Sequence, residues 1–363
     1  MKVKKLVRKE IQGLPFYDAE SIFPERLDEE IVKLDLNENL IVSSDIVEKL
    51  LLKACQGVDA RRYPPPHGAT AVQAISKFFG FDESTIFVGN GSDEVLDLLM
   101  KTFVGKQTRV LVVEPTFPLY SYFIQLYGGE ETPVMLRPDF GLDVDAILEK
   151  SGKEPSLLIV CSPNNPTANQ FAKSDLKKVV REFNGLVVVD EAYADFAKYS
   201  TVDWTRETDN LIVLRTFSKA FGLAGIRLGF AVSNQSVIEY LKRVAHPFHV
   251  NIITQRVVAL ALQNLDYFKQ QIDYIIGERE WLRNALVKID GVIPYPSDAN
   301  FILFKITKKG LSSSAVKEKL RSKNVFVKKK EYAPLLKNCM RVTVGTRNMN
   351  ETFVSALKEV LEG

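Results

Sequence analysis

Short apolar runs alternate with longer amphipathic segments between residues 43 and 245, and this alternation constrains the fold more than any other feature of the sequence. Most of the runs are β-branched and apolar on both faces, which is typical of strands covered by helices on either side. They span residues 85–88, 109–113, 157–161, 186–189, 211–214 and 227–232, with helical patterns such as 95–103 and 176–183 between them. The sequence therefore predicts an α/β fold whose mostly parallel sheet is covered by helices.

The pattern changes after residue 245. A long helical stretch over residues 252–288 is followed by short units: strands at 301–306, 325–327 and 341–344, and helices at 313–322 and 351–361. This mixture predicts a smaller α+β domain. We expect residues 44–245 to form the large domain, and residues 1–43, with an N-terminal arm, to join residues 246–363 in the small domain.

Charge and cysteine content narrow the class of protein. The chain has 48 basic and 45 acidic side chains, a net charge of +3, which is too even for a nucleic-acid or membrane surface. Its three cysteines form no C-x-x-C pair, which favours a reducing compartment. Charged residues at 8–10 interrupt any signal-peptide core, and no stretch approaches the roughly 18 apolar residues of a membrane helix. We therefore expect a cytoplasmic protein without nucleic-acid or membrane partners.

Two nearby histidines, His246 and His249, could suggest a metal site. Pro247 lies between them, and no cysteine or cluster of acidic ligands is nearby. We interpret both histidines as core or hinge residues and expect no bound metal.

The apolar run at 186–189 leads directly into Asp190, in the string L-V-V-V-D-E-A-Y. In open α/β sheets ligands bind beyond the carboxyl ends of strands, so Asp190 is expected at the mouth of a site. A buried acid in that position must be paired with a donor or a cation. A helix N-cap or a structural ion pair would explain the residue equally well.

A lysine and an arginine follow the next apolar run. Lys219 ends the string R-T-F-S-K, and Arg227 follows in G-I-R-L-G. A lysine held at a sheet edge near cations loses some proton affinity, which makes its amine a nucleophile that can form a Schiff base. Arg227, with the Thr216 and Ser218 hydroxyls, would suit a phosphate group. A surface lysine beside an unrelated salt-bridging arginine is the plainer alternative.

The turn G-N-G-S-D-E at residues 89–94 separates a strand from a helix that starts near Val95. Ser92 is a good N-cap, and the free N–H groups at a helix start form an anion cradle. A plain strand-to-helix connection would have the same sequence. A nucleotide-binding dehydrogenase is disfavoured, because Glu94 occupies the place of the third glycine in G-x-G-x-x-G.

Together and in this order, the motifs match a family. The strings S-P-N-N-P-T (162–167), D-E-A-Y (190–193) and S-K-A-F-G (218–222), with Arg227, resemble those of the fold-type-I pyridoxal-phosphate aminotransferases, and the resemblance runs from residue 34 to residue 345. It is strongest to the histidinol-phosphate aminotransferases, in R-Y-P (62–64), T-F-S-K-A-F-G (216–222) and M-R-V-T-V-G-T-R (340–347). The resemblance implies the fold-type-I architecture and pyridoxal 5'-phosphate as the cofactor.

The resemblance also implies a role for each cofactor-binding residue. Lys219 would carry the cofactor and later move a proton between substrate and cofactor, and Asp190 would pair with the pyridine nitrogen. Asn165 and Tyr193 would hydrogen-bond the phenolic oxygen of the ring. Phe117 would stack on the face of the ring.

The cofactor phosphate would lie on the backbone amides of Ser92 and Asp93, with Ser218 and Arg227 as side-chain partners. Tyr63 resembles the tyrosine that reaches this phosphate from the neighbouring subunit, which implies a homodimer with shared sites. The alternative for Tyr63 is a packed aromatic side chain of a loop.

The substrate site is implied in less detail. Arg341 resembles the arginine that grips the anionic end of the substrate, and it could bind the carboxylate of glutamate and a phosphate in turn. The family usually has a second arginine where this chain has Lys328. Asn39 and an N-terminal aromatic residue, Tyr17 or Phe16, would complete the site.

The resemblance implies a transaminase of histidine biosynthesis that interconverts histidinol phosphate plus 2-oxoglutarate and imidazole-acetol phosphate plus glutamate. An aromatic amino-acid aminotransferase or a threonine-phosphate decarboxylase would share all the cofactor residues. A cofactor-dependent regulator would need a DNA-binding module, for which we expect no room in 363 residues. One departure from the family is Ala168 in place of a glycine, which matters if that turn requires a positive φ.

Overall fold

Seven strands form the main sheet in this computed structural model, which describes residues 3–15, 21 and 31–362. The described residues form thirteen strands in all: β1 (Val32–Lys33), β2 (Ile86–Gly89), β3 (Arg109–Glu114), β4 (Glu130–Met135), β5 (Ser156–Cys161), β6 (Gly185–Asp190), β7 (Leu211–Thr216), β8 (Gly229–Val232), β9 (Val292–Pro294), β10 (Phe301–Ile306), β11 (Val325–Phe326), β12 (Lys328–Lys329) and β13 (Cys339–Thr343). The main sheet has the order β2-β8-β7-β6-β5-β3-β4. Strand β8 runs antiparallel to both neighbours, and every other neighbouring pair is parallel. The expected α/β fold with a mostly parallel sheet is confirmed.

Helices cover both faces of this sheet. The helices of the described residues are α1 (Lys9–Gln12), α2 (Ser44–Cys55), α3 (Ala69–Phe79), α4 (Gly91–Phe103), α5 (Leu119–Tyr127), α6 (Val144–Ser151), α7 (Lys173–Glu182), α8 (Gln235–Val244), α9 (Ile252–Leu262), α10 (Leu265–Val287), α11 (Ser313–Arg321) and α12 (Arg347–Glu362). On β6, Val188 packs into a core shared with α4, α5 and α8, whereas Val187 and Val189 pack into a core shared with α3, α6 and α7. Burial on both faces explains the continuous apolar run of this strand. Among the described helices, none combines the length and hydropathy that a membrane crossing needs.

Some local features differ from the sequence-based expectation. Strand β4 was not predicted, because it is an edge strand with the sequence E-E-T-P-V-M, in which Val134 is the buried position. Edge strands tolerate proline and polar side chains, so they lack the apolar run that marked the other strands. The single helical stretch expected at 252–288 is divided at Gln263 and Asn264 into α9 and α10.

The C-terminal part of the chain forms a second, smaller sheet. Its order is β12-β13-β10-β9, with antiparallel pairing throughout. Strand β1 pairs in parallel with β11, which joins the segment after residue 31 to the C-terminal third of the chain. Helix α9, although it follows residue 245, packs against α2 and α3. The domain boundaries at residues 43/44 and 245/246 stay a prediction.

The direction of the strands determines where loops converge. Strands β2, β3, β5, β6 and β7 all run in the same direction, so their carboxyl ends lie at one edge of the main sheet. The segments that leave these ends carry most of the residues singled out in the sequence. This edge is where open α/β sheets bind ligands.

Candidate active site

A cavity of about 610 Å³ lies at this edge, between the main sheet and strands β12 and β13. Its wall contains most of the residues predicted to bind cofactor or substrate. These are Ser92, Asp93, Phe117, Asn165, Asp190, Tyr193, Ser218, Lys219, Arg227, Lys328 and Arg341. Residues far apart in the sequence are therefore brought into one site.

Lys219 enters the cavity just beyond the end of β7. Its Nζ donates a hydrogen bond to the carbonyl oxygen of Leu36 at 3.1 Å and lies 5.9 Å from the centre of the Tyr193 ring. Burial lowers the pKa of Lys219 to about 8, and the positive charge of Arg341 acts in the same direction. A lysine with this pKa has an appreciable neutral fraction near pH 7, so its amine can act as a nucleophile or a base.

Asp190 is the last residue of β6 and is 7% exposed. Its Oδ2 accepts a hydrogen bond from the Tyr120 hydroxyl at 2.7 Å, and its Oδ1 accepts one from the Ala192 backbone N–H at 3.0 Å. Burial raises the pKa of Asp190 to about 6, while the Tyr120 hydrogen bond opposes that rise. The carboxyl group therefore stays largely ionised at pH 7 and can hold a protonated ring nitrogen.

Tyr193 is held by a residue that the sequence did not single out. The Asn37 side-chain amide donates a hydrogen bond to the Tyr193 hydroxyl at 3.0 Å. Asn37 in turn receives a hydrogen bond from the Thr343 hydroxyl, at 3.3 Å. Burial raises the pKa of Tyr193, so its phenol stays protonated and can donate to an acceptor in the cavity.

An anion cradle surrounds the start of α4. Asn90 makes no side-chain cap hydrogen bond there, and an added Cβ at Gly229 on β8 would lie 2.2 Å from the Ser92 nitrogen. Arg227 has a φ of 55° and donates to Asp93 Oδ2 at 3.3 Å. The Ser218 hydroxyl is fixed by the Thr216 hydroxyl at 3.0 Å. Backbone N–H groups, a hydroxyl and a guanidinium in one wall suit a phosphate group.

Phe117 follows β3 and supplies an aromatic face to the cavity. Its ring packs edge-on against the ring of Tyr120, with 5.6 Å between their centres. The neighbouring Thr116 carbonyl accepts a hydrogen bond from the Tyr332 hydroxyl at 2.6 Å, which connects this loop to the segment after β12. A planar ring could stack on Phe117 from the cavity side.

Arg341, on β13, is the buried cation of the opposite wall, with 4% exposure. Its Nη1 donates to Asn165 Oδ1 at 2.8 Å, and its Nη2 donates to the Asp35 carbonyl. Lys328 on β12 lies directly opposite Arg341 in the antiparallel pairing. The two cations form a wall that suits a carboxylate or a phosphate group.

Other residues named from the sequence lie elsewhere. The Asn39 amide donates to the Ala220 carbonyl at 3.0 Å, and its oxygen accepts from the Ile41 and Val42 backbone N–H groups, so the side chain is used within the chain. Asn37, two positions earlier, is the asparagine that lines the cavity. Tyr63 is 80% exposed and stacks on Phe248 with 4.6 Å between ring centres. The positions of Tyr17 and Phe16 fall outside the described residues.

The turn at Ala168 does require a positive φ. Ala168 has a φ of 69°, and its N–H donates to the Asn164 carbonyl at 2.7 Å. An alanine at this φ destabilises the fold by about 1–2 kcal/mol relative to a glycine in the same place. This chain therefore holds the turn with a strained alanine, at a position where a glycine would be free of strain.

The family description Aminotransferase class I and II matches residues 29–357. The chain belongs to this family. It is 37% identical over 360 residues, 99% of either chain, to the histidinol-phosphate aminotransferase of Thermoanaerobacter sp. (strain X514). This membership sets aside the dehydrogenase alternative.

Solved structures support the fold. The histidinol-phosphate aminotransferase of Sinorhizobium meliloti, in complex with pyridoxal-5'-phosphate, superimposes with a TM-score of 0.83 at 24% identity, covering 91% of this chain and 90% of its own. The L-threonine-O-3-phosphate decarboxylase of Porphyromonas gingivalis gives a TM-score of 0.80 at 22% identity, covering 92% of this chain and 100% of its own. Two different reactions share this fold, so the fold alone does not select the reaction.

Proposed function

We propose that the chain is a pyridoxal-phosphate-dependent aminotransferase that transfers an amino group between histidinol phosphate and 2-oxoglutarate in histidine biosynthesis. The observation that carries this proposal is a single cavity with a lysine of lowered pKa, a buried carboxylate and a wall of cations. Full-length likeness, at 34–37% identity, to relatives named histidinol-phosphate aminotransferase selects the substrate.

The residues of the cavity fit pyridoxal 5'-phosphate. Lys219 suits the aldehyde, Asp190 the pyridine nitrogen, and Phe117 a face of the ring. The backbone N–H groups at the start of α4, which packs so closely on β8 that position 229 has no room for a side chain, suit the phosphate. When bound, this cofactor withdraws electrons from the substrate and so makes the hydrogen of its α-carbon acidic.

Lys219 and Asp190 divide the proton chemistry. In its neutral form the Lys219 amine can take the proton from the α-carbon of the substrate and pass it to the cofactor, because a pKa of about 8 is close to the working pH. The Asp190 carboxylate holds a proton on the ring nitrogen, and the Tyr120 and Ala192 hydrogen bonds orient it. The protonated Tyr193 hydroxyl and Asn165 bind the phenolic oxygen.

The lowered pKa of Lys219 predicts how cofactor loading depends on pH. Only the neutral amine bonds an aldehyde, so the loading rate of cofactor-free protein should rise with pH, pass its midpoint near pH 8 and level off above it. Stopped-flow absorbance of pyridoxal 5'-phosphate measures this rate. Arg341→Met removes a nearby positive charge and should move the midpoint to higher pH. A loading rate that keeps rising to pH 10 in the unmodified protein would show that the pKa of Lys219 is not lowered.

Arg341 should serve both substrates. A guanidinium binds a carboxylate or a phosphate through paired hydrogen bonds, so Arg341→Ala is expected to raise KM for glutamate and for histidinol phosphate by about 10-fold to 100-fold each. Steady-state kinetics of both directions measure the change. Arg321→Ala, which removes an exposed arginine of α11, should change neither KM. An unchanged KM for both substrates in Arg341→Ala would remove this residue from the site.

The assembly and location follow as parts of the same proposal. We propose a homodimer in which the exposed Tyr63 reaches the cofactor phosphate of the partner subunit, with support from its 80% exposure beside the Phe248 ring. Sedimentation of the purified protein tests the dimer.

The proposed location is the cytoplasm. It is supported by the free state of the three cysteines, Cys55, Cys161 and Cys339.

A comparison of candidate substrates tests the proposed activity. Transamination of 2-oxoglutarate is measured with histidinol phosphate, phenylalanine and tyrosine, and release of carbon dioxide is measured with threonine phosphate. We expect kcat/KM to be at least about tenfold higher for histidinol phosphate than for the aromatic amino acids, since their single carboxylate brings less negative charge to the cationic wall than a phosphate group does. Preference for an aromatic amino acid, or release of carbon dioxide, would select one of the alternative reactions.

A further inference from the structure

The wall formed by β12 and β13 carries a third cation. Lys330 continues from β12, and its backbone N–H donates to the Cys339 carbonyl at 2.9 Å. Alternate residues of an extended strand point to the same face, so Lys328 and Lys330 project together. Both line the cavity with Arg341.

Among the residues that the structure describes, no acid forms an ion pair with Lys330. None of the ion pairs between described residues includes its ammonium group, whose aromatic neighbour is the Tyr332 ring at 5.8 Å. The adjacent Glu331 is directed instead to the Ser313 hydroxyl and the Asn338 N–H. Burial lowers the pKa of Lys330 well below its ordinary value, and the charges of Arg341 and Lys328 add to this effect. An anion bound among the three cations would relieve their mutual repulsion.

The chemistry of a phosphate group fits this arrangement better than a carboxylate does. A carboxylate has one negative charge and two oxygens, which the guanidinium of Arg341 can satisfy alone. A phosphate monoester has a charge near −2 at pH 7 and three terminal oxygens. Lys328 lacks the fork of a second arginine and cannot donate two parallel hydrogen bonds. A second ammonium on the same face supplies the missing donor and charge.

We propose that Lys330 is a specificity-determining residue, which joins Lys328 and Arg341 around the phosphate of a phosphorylated amino substrate and takes little part in binding a dicarboxylate. This inference rests on the proposed function and deepens it. It explains how one cavity alternates between two substrates with different anionic groups. It also gives a structural reason for a lysine at position 328.

The test replaces Lys330 with methionine, which keeps the length of the side chain and removes its charge. KM for histidinol phosphate should rise about tenfold, the loss of one charged hydrogen bond, with kcat and the KM for glutamate changed by less than about twofold. Lys330→Arg should recover most of the affinity. Lys319→Met is the matched control, because Lys319 is an exposed lysine of α11 that does not line the cavity. Equal changes for both substrates, or none, would overturn the inference.

Inhibition by inorganic phosphate tests the role of Lys330 independently of the proposed function. In the enzyme loaded with cofactor, phosphate should inhibit competitively against glutamate, and Lys330→Met should weaken that inhibition about tenfold. This result is expected even if histidinol phosphate proves not to be a substrate. Unchanged inhibition would refute the role of Lys330 even if histidinol phosphate is turned over. Thermal unfolding checks that the variant folds, and Lys330→Gln replaces it if methionine destabilises the protein.

Discussion

Replacing Lys219 with alanine is expected to lower kcat for transamination by about 10³-fold or more, while substrate binding changes far less. Alanine offers no amine to bond an aldehyde or to accept the α-proton. Rapid-quench measurement of amino-group transfer in a single turnover gives this loss without interference from product release. Retention of more than about a tenth of the rate would show that another group moves the proton.

Two controls separate the amine from its charge. Lys219→Arg keeps a positive charge, but a guanidinium stays protonated at any working pH and cannot act as a base, so an equal loss is expected. A small primary amine added to the solution should restore part of the rate of Lys219→Ala, because the truncated side chain leaves room beside Leu36. The same amine should not help Lys219→Arg, whose side chain fills that space.

Replacing Asp190 with asparagine is expected to lower kcat by about 10²-fold to 10⁴-fold with the cofactor still bound. Asparagine has the same shape but no negative charge, so it cannot hold a proton on the ring nitrogen. The Ala192 N–H would still donate to the asparagine oxygen, and the Tyr120 hydroxyl could accept from the asparagine NH2 group, so the substituted side chain would stay in place. The measurement is kcat at saturating cofactor, with the bound cofactor counted by absorbance.

The charge of Asp190 has its own controls. Asp190→Glu keeps the carboxylate and should recover part of the activity lost in the asparagine variant. Asp203→Asn removes an exposed carboxylate, 77% exposed in its pair with Arg206, and should have no effect. Unchanged kcat in Asp190→Asn would contradict its assignment as the partner of the ring nitrogen.

Much of the fold could be predicted because its signals are local. Strands such as β5 and β6 are buried on both faces, so their sequences are continuous apolar runs that end in polar residues. Asp190 is the last residue of β6 and Lys219 comes shortly after the end of β7, and the topology of a parallel sheet then brings them to one edge. Local pattern plus chain direction was therefore enough to place both in one cavity.

Other parts of the site depend on contacts between distant segments. Asn37 and Asn39 stand in one short string, and only the Tyr193 hydroxyl and Thr343, far along the chain, distinguish Asn37 as the cavity residue. Tyr120 was overlooked for a similar reason, because its position on α5 carries no sign that its hydroxyl meets Asp190. Lys330 lies in a run of three lysines, and its neighbour Arg341 belongs to a different strand, so the sequence alone does not bring the two together.

The central claim is that Lys219 carries the cofactor, and the most direct test is to find the bonded residue. The purified protein, loaded with pyridoxal 5'-phosphate, is reduced with borohydride, digested and analysed by mass spectrometry. The claim predicts one modified peptide, with the cofactor mass on Lys219, and no such peptide from Lys219→Ala. A modification on another lysine, or bound cofactor that borohydride never fixes to the chain, would contradict it.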